Sequence, residues 1–331
     1  MRTFDDAPTM FSLLRTAAGV TGLLDYGRFT ALALYDPRLG YYRRGGERVG
    51  KSAGTDFYTA TSMGALFGRL IWAAAENLLG EEKCRGSVLV EIGAEPEQAL
   101  FAAERDGFAR ARTIRVGEPL EISDSAVLFS NELLDAQPFH RVIFRDGCWR
   151  ELGVRVGEDT LAEVLLPEFS SKEIQDFALT LPMPWHEGWV VDFPLGAEQL
   201  LRQLVAQEWQ GTLIFFDYGK TLAECLESSP EGTARAYWRH RQHNDLLARP
   251  GEQDLTCHVL WDRLEGILRQ EGFSDIRVER QEAFFMRRAA EEIARLLGAP
   301  DQGLEEERSK LRALLHPAHF GHKFQVLTAV R

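Results

Sequence analysis

The sequence predicts an α/β protein, because short apolar runs alternate with amphipathic helical segments along the chain. Three continuous apolar runs, at 87–93, 126–130 and 212–217, have the length and composition of buried parallel strands. Apolar residues with helical spacing occupy 62–79 and 196–208, just before the first and third of these runs. Since two parallel strands must be joined by a crossover, this order predicts one parallel sheet covered by helices.

Other segments extend this predicted sheet or are inserted into it. A hairpin over 141–166 is predicted to turn at Asp146–Gly147. The remaining predicted elements are a helical region over 8–33, helices over 96–109, 258–271, 284–297 and 302–312, and strands over 276–279 and 324–330. The expected divisions are an N-terminal helical and loop region over 1–80, a core over 81–140 and 187–331, and an inserted hairpin and helical subdomain over 141–186.

Composition and charge argue against several classes of partner. The 331 residues carry 38 basic and 50 acidic side chains, so the formal net charge is −12. A nucleic-acid or anionic-membrane surface needs clustered cations, which this balance disfavours. The four cysteines lie far apart without a C-x-x-C pair, which argues against a zinc ribbon or a disulfide framework. Neither a signal peptide nor a run of about 18 apolar residues is present, so a cytoplasmic location without membrane insertion is expected.

Polar residues follow each of the three predicted buried strands. These segments are Glu91 to Gly93, Asn131 to Asp135, and Asp217 to Gly219. Ligands of open α/β sheets bind beyond the carboxyl ends of the strands, so the three segments together predict a polar-rimmed crevice. The alternative for any one segment is an acid that merely caps the following helix.

The loop after the first strand does not match a dinucleotide fingerprint. A nicotinamide or other dinucleotide site needs G-x-G-x-x-G for a tight turn and close backbone approach to phosphate. This chain instead reads Gly93-Ala-Glu95-Pro-Glu97, and the two extra carboxylates would repel a pyrophosphate. A nicotinamide-dependent oxidoreductase is therefore disfavoured.

Six ordered blocks carry a resemblance to a known family. They are D-F-Y-T over 56–59 followed by L-F-G over 66–68, N-E-L-L-D-A over 131–136 followed by His140, D-Y-G over 217–219, G-T-A-R-A-Y-W-R-H over 232–240, P-G-E-Q-D-L-T-C-H-V over 250–259, and G-H-K-F-Q-V over 321–326. With these blocks the chain resembles the MidA family of class I S-adenosylmethionine-dependent methyltransferases. Mitochondrial relatives of that family methylate an arginine during assembly of respiratory complex I. The resemblance implies a Rossmann-like class I methyltransferase sheet with an N-terminal helical region and inserted hairpin and helical segments.

The resemblance also implies roles for individual residues. The residues expected to bind S-adenosylmethionine are Asp56, Phe57, Tyr58, Thr59, Glu91, Gly93 and Asn131. Glu132 and Asp135 are the expected catalytic residues, because two carboxylates can bind a planar guanidinium bidentately. Asp192 and Asp217 are candidate second acids, and the alternative for Glu132 is a helix cap. The residues expected on the substrate side of the crevice are Tyr237, His240, Asp254 and His258.

A metal site is an alternative use of the same histidines. His240 and His243 have i, i+3 spacing and could be combined with Asp254 and His258. Neither an H-E-x-x-H motif nor a cysteine set accompanies them, so no metal is expected.

The chain departs from the family pattern where the cofactor is held. Glu95 and Glu97 stand at positions where the family has glycines, and their side chains would fill space that the cofactor requires. Only 34 residues separate Ile92 from Val127, too few for the usual three crossovers. The strand whose terminal acid binds the ribose is therefore expected to be missing, with Glu118 as a candidate replacement.

Two hypotheses about function follow. The first is a methyltransferase that acts on a protein side chain, arginine by family resemblance. The second is a catalytically inactive protein of the same fold that serves as a protein-binding or assembly factor. Both predict a protein substrate or partner, and a homodimer is left open.

Overall fold

The computed structural model describes residues 9–43, 64–94, 107–122, 124–239, 241–298, 304–316 and 324–331. The helices are α1 (Met10–Ala18), α2 (Tyr26–Tyr35), α3 (Ala65–Leu79), α4 (Glu81–Gly86), α5 (Lys172–Thr180), α6 (Leu195–Val205), α7 (Leu222–Ser228), α8 (Trp261–Gln270), α9 (Gln281–Arg288), α10 (Ala290–Gly298) and α11 (Glu305–Leu315). The strands are β1 (Leu23–Asp25), β2 (Val88–Ile92), β3 (Arg110–Ile114), β4 (Asp124–Asn131), β5 (His140–Arg145), β6 (Cys148–Val156), β7 (Leu161–Leu165), β8 (Val190–Phe193), β9 (Trp209–Asp217), β10 (Gly219–Lys220), β11 (Arg235–Trp238), β12 (Arg241–His243), β13 (Asp254–Thr256), β14 (Val259–Leu260), β15 (Ser274–Arg280) and β16 (Gln325–Val330).

The largest sheet has six strands in the order β15-β16-β9-β4-β2-β3. Strands β3, β2, β4 and β9 are parallel, whereas β16 and β15 are antiparallel to their neighbours. Val127 and Phe129 of β4 pack with α3, α9, α10 and α11 on one face. Leu128 packs with α6 and α8 on the other. Helices on both faces explain why the central strands read as continuous apolar runs, and the predicted α/β fold is confirmed.

A second, antiparallel sheet has five strands. Its order is β1-β6-β5-β8, and β7 pairs with residues 152–156 of β6 on the edge opposite β1. The predicted turn joins β5 to β6, and both of its residues have a positive φ, +53° at Asp146 and +77° at Gly147. That conformation matches the right-handed twist of a two-residue hairpin. The division of the chain into the three predicted regions remains a proposal.

Two predicted helices are broken in the structure. The region 8–33 is interrupted after α1, where Gly19 and Gly22 take positive φ values of +56° and +63°. Asp25 is the N-cap of the next helix, α2, because its carboxylate accepts the Arg28 N–H at 2.7 Å. The segment 284–297 is divided between α9 and α10. Most of the helix predicted over 96–109 lies outside the described residues.

In the described residues one strand, β3, lies between β2 and β4 in the chain, so two crossovers join these strands instead of the usual three. Strand β3 lies beside β2 in parallel register, with Ile92 opposite Ile114. The connection from β3 to β4 is short because residues 115–122 form turns and coil instead of a helix. The absence of the strand whose terminal acid binds the ribose stays a prediction. Glu118 caps the turn that follows β3, since its carboxylate accepts the Arg115 N–H at 2.8 Å.

Candidate functional site

The three strand ends singled out in the sequence lie side by side. Ile92 at the end of β2 pairs with Ser130, and Asn131 at the end of β4 pairs with Phe216 of β9. The backbone N–H of Glu132 donates to the Phe216 carbonyl at 3.0 Å, which continues the ladder past the strand end. Polar side chains from three strands therefore meet at one edge of the main sheet.

Asp217 organises the segment that follows β4. Its Oδ2 accepts the N–H groups of Leu134 at 2.7 Å and of Asp135 at 3.3 Å. Its Oδ1 accepts the N–H of Tyr218 at 2.8 Å. The side chain is fully buried, and burial raises its pKa to about 7 although these backbone donors favour the charged form.

Glu132 and Asp135 lie close to Asp217 and form an acidic cluster with it. Burial, and then the neighbouring charge of Asp217, raise the pKa of Glu132 to about 8. Burial and the charges of Asp217 and Glu132 also raise the pKa of Asp135 well above its usual range. Asn131 Nδ2 donates to Glu132 Oε1 at 3.0 Å and partly offsets this. Several carboxyl groups held together without water bind protons unless a cation joins them.

Tyr237 and Asp254 form the next part of this site. They lie opposite each other on the paired strands β11 and β13. Asp254 is buried, and its Oδ1 accepts the Tyr42 hydroxyl at 2.8 Å. Tyr42 stacks on Tyr35 with ring centroids 5.4 Å apart. Burial raises the pKa of Tyr237, and the charges of Asp135 and Asp254 raise it further, which places Tyr237 beside the acidic cluster.

His258 lies next to the end of β9. The following residue, Val259, donates its N–H to the Tyr218 carbonyl at 3.0 Å. Burial, together with the nearby Lys220 and Arg235, lowers the pKa of His258 to about 4, so the ring is neutral at pH 7. Its Nδ1 is buried and has no hydrogen-bond partner among the residues that the structure describes. A neutral ring nitrogen without a partner is available to a ligand.

The described strand ends are compatible with a bound cofactor. Asn131 Oδ1 is buried and finds no hydrogen-bond partner within the described part of the chain. Gly93 has φ +83°, and a Cβ atom there would come within 2.7 Å of Leu133 Cδ1. Glu91 is buried at the end of β2, one residue before the Ile92–Ser130 pair. The glycine at 93 makes room for Leu133, and the unsatisfied Asn131 side chain fits a ligand that binds beyond β4.

Some predicted site residues fall outside the described part of the chain. They are Asp56, Phe57, Tyr58, Thr59 and His240. Glu95 and Glu97, on which the argument for an impaired cofactor loop depends, fall there as well. Their roles stay predictions.

Asp192 is separate from the acidic cluster. It is buried and accepts Arg141 Nε at 2.8 Å and the Ala234 N–H at 2.7 Å. This pairing gives Asp192 a structural role in joining β8 to the loop before β11. In the described ranges, no group of three or more His, Cys, Asp or Glu side chains is arranged to hold a metal ion.

Three tyrosines were missed as site residues by sequence reasoning. Tyr35 and Tyr42 contribute the stacked pair that borders Asp254, and Tyr35 also donates to the Ala136 carbonyl at 2.9 Å. The charges of Glu132 and Asp135 raise the pKa of Tyr218, as does burial. The sequence signal for Tyr218 was its position beside Asp217, whereas nothing local marks Tyr35.

Comparison with known proteins identifies the family. The sequence profile of the family described as "Putative S-adenosyl-L-methionine-dependent methyltransferase" matches residues 110–277, half of the chain. The chain belongs to this methyltransferase family. The recognised resemblance and the class I methyltransferase fold are thereby confirmed.

A curated relative matches this chain at low identity. A Drosophila melanogaster protein, the mitochondrial "Protein arginine methyltransferase NDUFAF7 homolog", is 25% identical over 210 residues. That match covers 61% of this chain and 46% of the fly protein, so the chain spans about half the length of this curated relative.

Two solved structures share the fold of this chain. One is a COG1565 superfamily member from Burkholderia thailandensis bound to S-adenosyl-homocysteine, with a TM-score of 0.81 and 22% identity. The other is a native structure of a protein of that superfamily from the same organism, with a TM-score of 0.76 and 21% identity. Each alignment covers 98% of this chain and 95% of the other. Within the described ranges of the chain, no helix is long and apolar enough to cross a bilayer.

Proposed function

We propose that this methyltransferase-family protein transfers a methyl group from S-adenosylmethionine to an arginine side chain of a protein. The observation that carries the proposal is the acidic cluster of Glu132, Asp135 and Asp217 at the strand ends. After burial, the charge of Asp217 has the largest effect on the pKa of Glu132, and the charge of Asp254 acts in the same direction. A site of this kind favours a cationic ligand, and a guanidinium offers several N–H donors to neighbouring carboxylates.

In this proposal Glu132 and Asp135 position the guanidinium and take up its proton. S-adenosylmethionine supplies a methyl group on a positively charged sulfur when it is bound. Methylation of a guanidinium nitrogen forms an N–C bond, leaves the S–C electron pair on sulfur, and releases one proton. In the ligand-free protein Glu132 is protonated at neutral pH, because its pKa is about 8. In this proposal the positive charge of the bound guanidinium lowers that pKa, so Glu132 becomes a carboxylate and accepts the proton that methyl transfer releases. Catalysis would come mainly from orientation and from the negative charge beside the target.

The residues proposed to hold the cofactor lie at the ends of β2 and β4. Asn131 would use its buried Oδ1, and the backbone at Gly93 would approach the ligand. Glu91, Asp56, Phe57, Tyr58 and Thr59 complete the proposed set by family resemblance. Tyr237, His240, Asp254 and His258 would border the substrate.

A second candidate function is a protein-binding or assembly factor without methyl transfer. The sequence Gly93-Ala-Glu95-Pro-Glu97 favours it, because carboxylates replace glycines in the cofactor loop. A cytoplasmic location and a protein partner belong to both candidates as proposals. The name of the fly relative gives a mitochondrial location, so the cellular location of this protein is to be tested by experiment as well.

Binding of S-adenosyl-homocysteine separates the two candidates. Ligand at 100 times its dissociation constant stabilises a protein by about 2.7 kcal/mol, so the proposed enzyme should melt at a higher temperature with millimolar ligand. Asn131→Ala should reduce that shift. No shift in the unmodified protein would leave only the assembly-factor function.

Methyl transfer is tested with radiolabelled S-adenosylmethionine and arginine-containing peptides. We expect Glu132→Gln to reduce transfer about 100-fold or more, because proton uptake and orientation are both lost. Glu121→Gln makes the same change at an exposed position and should leave the rate unchanged. Equal rates for the two variants would contradict the proposed role of Glu132.

A further inference from the structure

The segment 235–249 carries a net positive charge, whereas the chain as a whole is negatively charged. It contains four arginines, Arg235, Arg239, Arg241 and Arg249, and one acid, Asp245, in a chain of net charge −12. Strands β11 and β12 form a hairpin within it, and we call the segment the basic hairpin. A local excess of positive charge on an acidic protein creates a surface that attracts negative ligands.

An arginine–tryptophan stack lies at the end of the basic hairpin. The Arg239 guanidinium carbon lies 4.5 Å from the centroid of the Trp238 ring, and that of Arg249 lies 4.1 Å from it. Trp238 is half-buried and Arg239 is exposed. A stacked guanidinium is already ordered, so it loses little conformational freedom when its N–H edge binds a carboxylate.

The backbone conformation of Arg239 is unusual for an arginine. Arg239 follows β11 directly and has φ +49°, a region that glycine, asparagine and aspartate occupy far more readily than arginine. Because Trp238 pairs with Arg241, two residues connect the strands, and a two-residue hairpin turn requires a positive φ at this position. Here the conformation places the Arg239 guanidinium over Trp238.

The two faces of the hairpin carry different chemistry. Trp238 pairs with Arg241 across the strands, so their side chains share one face. Tyr237, the preceding residue, points to the opposite face and lies beside Asp254 and Asp135. The basic face and the acidic cluster are therefore separated by the thickness of one strand.

We propose that the basic hairpin docks an acidic stretch of the polypeptide whose arginine enters the acidic cluster. This inference rests on the proposed function, and it adds a substrate class: arginine flanked by aspartate or glutamate. Charge complementarity supports it, since Arg239, Arg241 and Arg249 match a run of carboxylates while the cluster at Glu132 matches the target cation. A nucleic acid fits less well, because the adjacent acidic cluster and the net charge of −12 repel a polyanion.

Fluorescence anisotropy with labelled peptides tests the docking surface. One peptide carries a central arginine with acidic residues on both sides, and the other carries serines in those places. The unmodified protein should bind the acidic peptide about tenfold more tightly at low salt. The triple variant Arg239→Gln, Arg241→Gln, Arg249→Gln should bind the two peptides equally, and added salt should have the same effect on the unmodified protein.

A matched triple variant controls for net charge. Arg110→Gln, Arg155→Gln and Arg202→Gln remove three exposed arginines outside the hairpin. This control should keep the tenfold preference. Loss of the preference in both variants, or in neither, would overturn the proposal. Tighter binding of a labelled single-stranded RNA than of the acidic peptide, lost only in the hairpin variant, would also overturn it.

Failure of the docking proposal can be told apart from failure of the proposed function, because peptide binding is measured without cofactor. Methyl transfer without preference for acidic flanks would refute the docking surface and leave the enzyme. A preference for acidic flanks without methyl transfer would support the docking surface and indicate that the protein is an assembly factor.

Discussion

Asp217 holds Asp135 in place through the backbone: one carboxylate oxygen of Asp217 accepts the N–H groups of both Asp135 and the residue before it, Leu134. Asp217 ends β9 and Asp135 follows β4, so this contact joins two strands that are parallel neighbours. The contact also brings two carboxyl groups together in a buried environment, where the pKa of each is raised. Stability and the acidic character of the site therefore depend on the same residue.

We expect Asp217→Asn to destabilise the fold by about 2 kcal/mol. The amide is uncharged and offers only one oxygen, so at least one of the three backbone N–H groups loses its acceptor and the others lose a charged one. Urea unfolding measures the change. Asp262→Asn is the control, because the Asp262 carboxylate accepts one exposed backbone N–H, from Leu222 at 3.1 Å. Equal midpoints for both variants would contradict the role assigned to Asp217.

Glu132 is expected to make the ligand-free protein less stable as pH rises from 6.5 to 8. Its pKa is about 8 in the folded state and about 4.5 when unfolded, so in this range the folded chain holds a proton that the unfolded chain has released. The contribution is complete below pH 4.5 and is lost as pH rises through 8, by up to about 1.4 kcal/mol per pH unit. Urea midpoints at several pH values should therefore fall, and the slope should be shallower in Glu132→Gln.

The pH range of this experiment begins at 6.5 so that the effect of Glu132 on stability is not mixed with that of His258. The pKa of His258 is lowered from 6.5 to about 4, so its contribution is present above pH 6.5 and is lost as pH falls toward 4. Glu121→Gln serves again as the exposed control and should keep the original slope. A slope unchanged by Glu132→Gln would show that Glu132 is ionised in the folded protein.

Gly93→Ala is expected to cost more than the same substitution at Gly80. Both glycines have nearly the same positive φ, +83° and +84°, so the backbone penalty of about 1–2 kcal/mol is shared. A Cβ atom at Gly80 meets nothing within 4 Å, whereas at Gly93 it lies 2.7 Å from Leu133 Cδ1. Thermal unfolding of the two variants measures the difference. Adding Leu133→Ala to Gly93→Ala should remove the clash, and failure to do so would place the cost elsewhere.

Asp192→Ala is expected to destabilise the protein by about 3–5 kcal/mol. It removes the buried carboxylate partner of Arg141, a residue only 8% exposed, and leaves it only the partly exposed Glu163 as a carboxylate partner among the described residues, while the Ala234 N–H loses its acceptor. Asp176→Ala breaks the exposed pair with Lys172 and should cost about 1 kcal/mol or less. Guanidinium chloride unfolding compares the variants. A similar small cost for both would mean that Asp192 is not the structural partner of Arg141.

Local patterns in the sequence were sufficient for the central strands of the main sheet. Continuous apolar runs marked β2, β4 and β9 because these strands are covered on both faces. The turn at Asp146–Gly147 was predictable because few residue pairs adopt two positive φ values in succession. The break at Gly19–Asp25 was missed, since apolar residues keep their helical spacing across it.

Contacts between distant segments were not predictable in the same way. Asp192 and Asp217 both follow or end apolar strands, yet only Asp217 reaches the acidic cluster. The difference arises from sheet membership, because β9 lies in the main sheet and β8 in the second sheet. Tyr42 reaches Asp254 across 212 residues of chain, which no local pattern encodes.

The sequence by itself determined the α/β class, the methyltransferase resemblance and the acids at the strand ends. These features follow from side-chain periodicity and from motifs, both of which are local. The tertiary structure decided that β3 is present, that Asp192 pairs with Arg141, and that Tyr237 stands between an acidic cluster and a basic face. Each of these depends on strand order and register, and those are set by the packing of segments far apart in the chain.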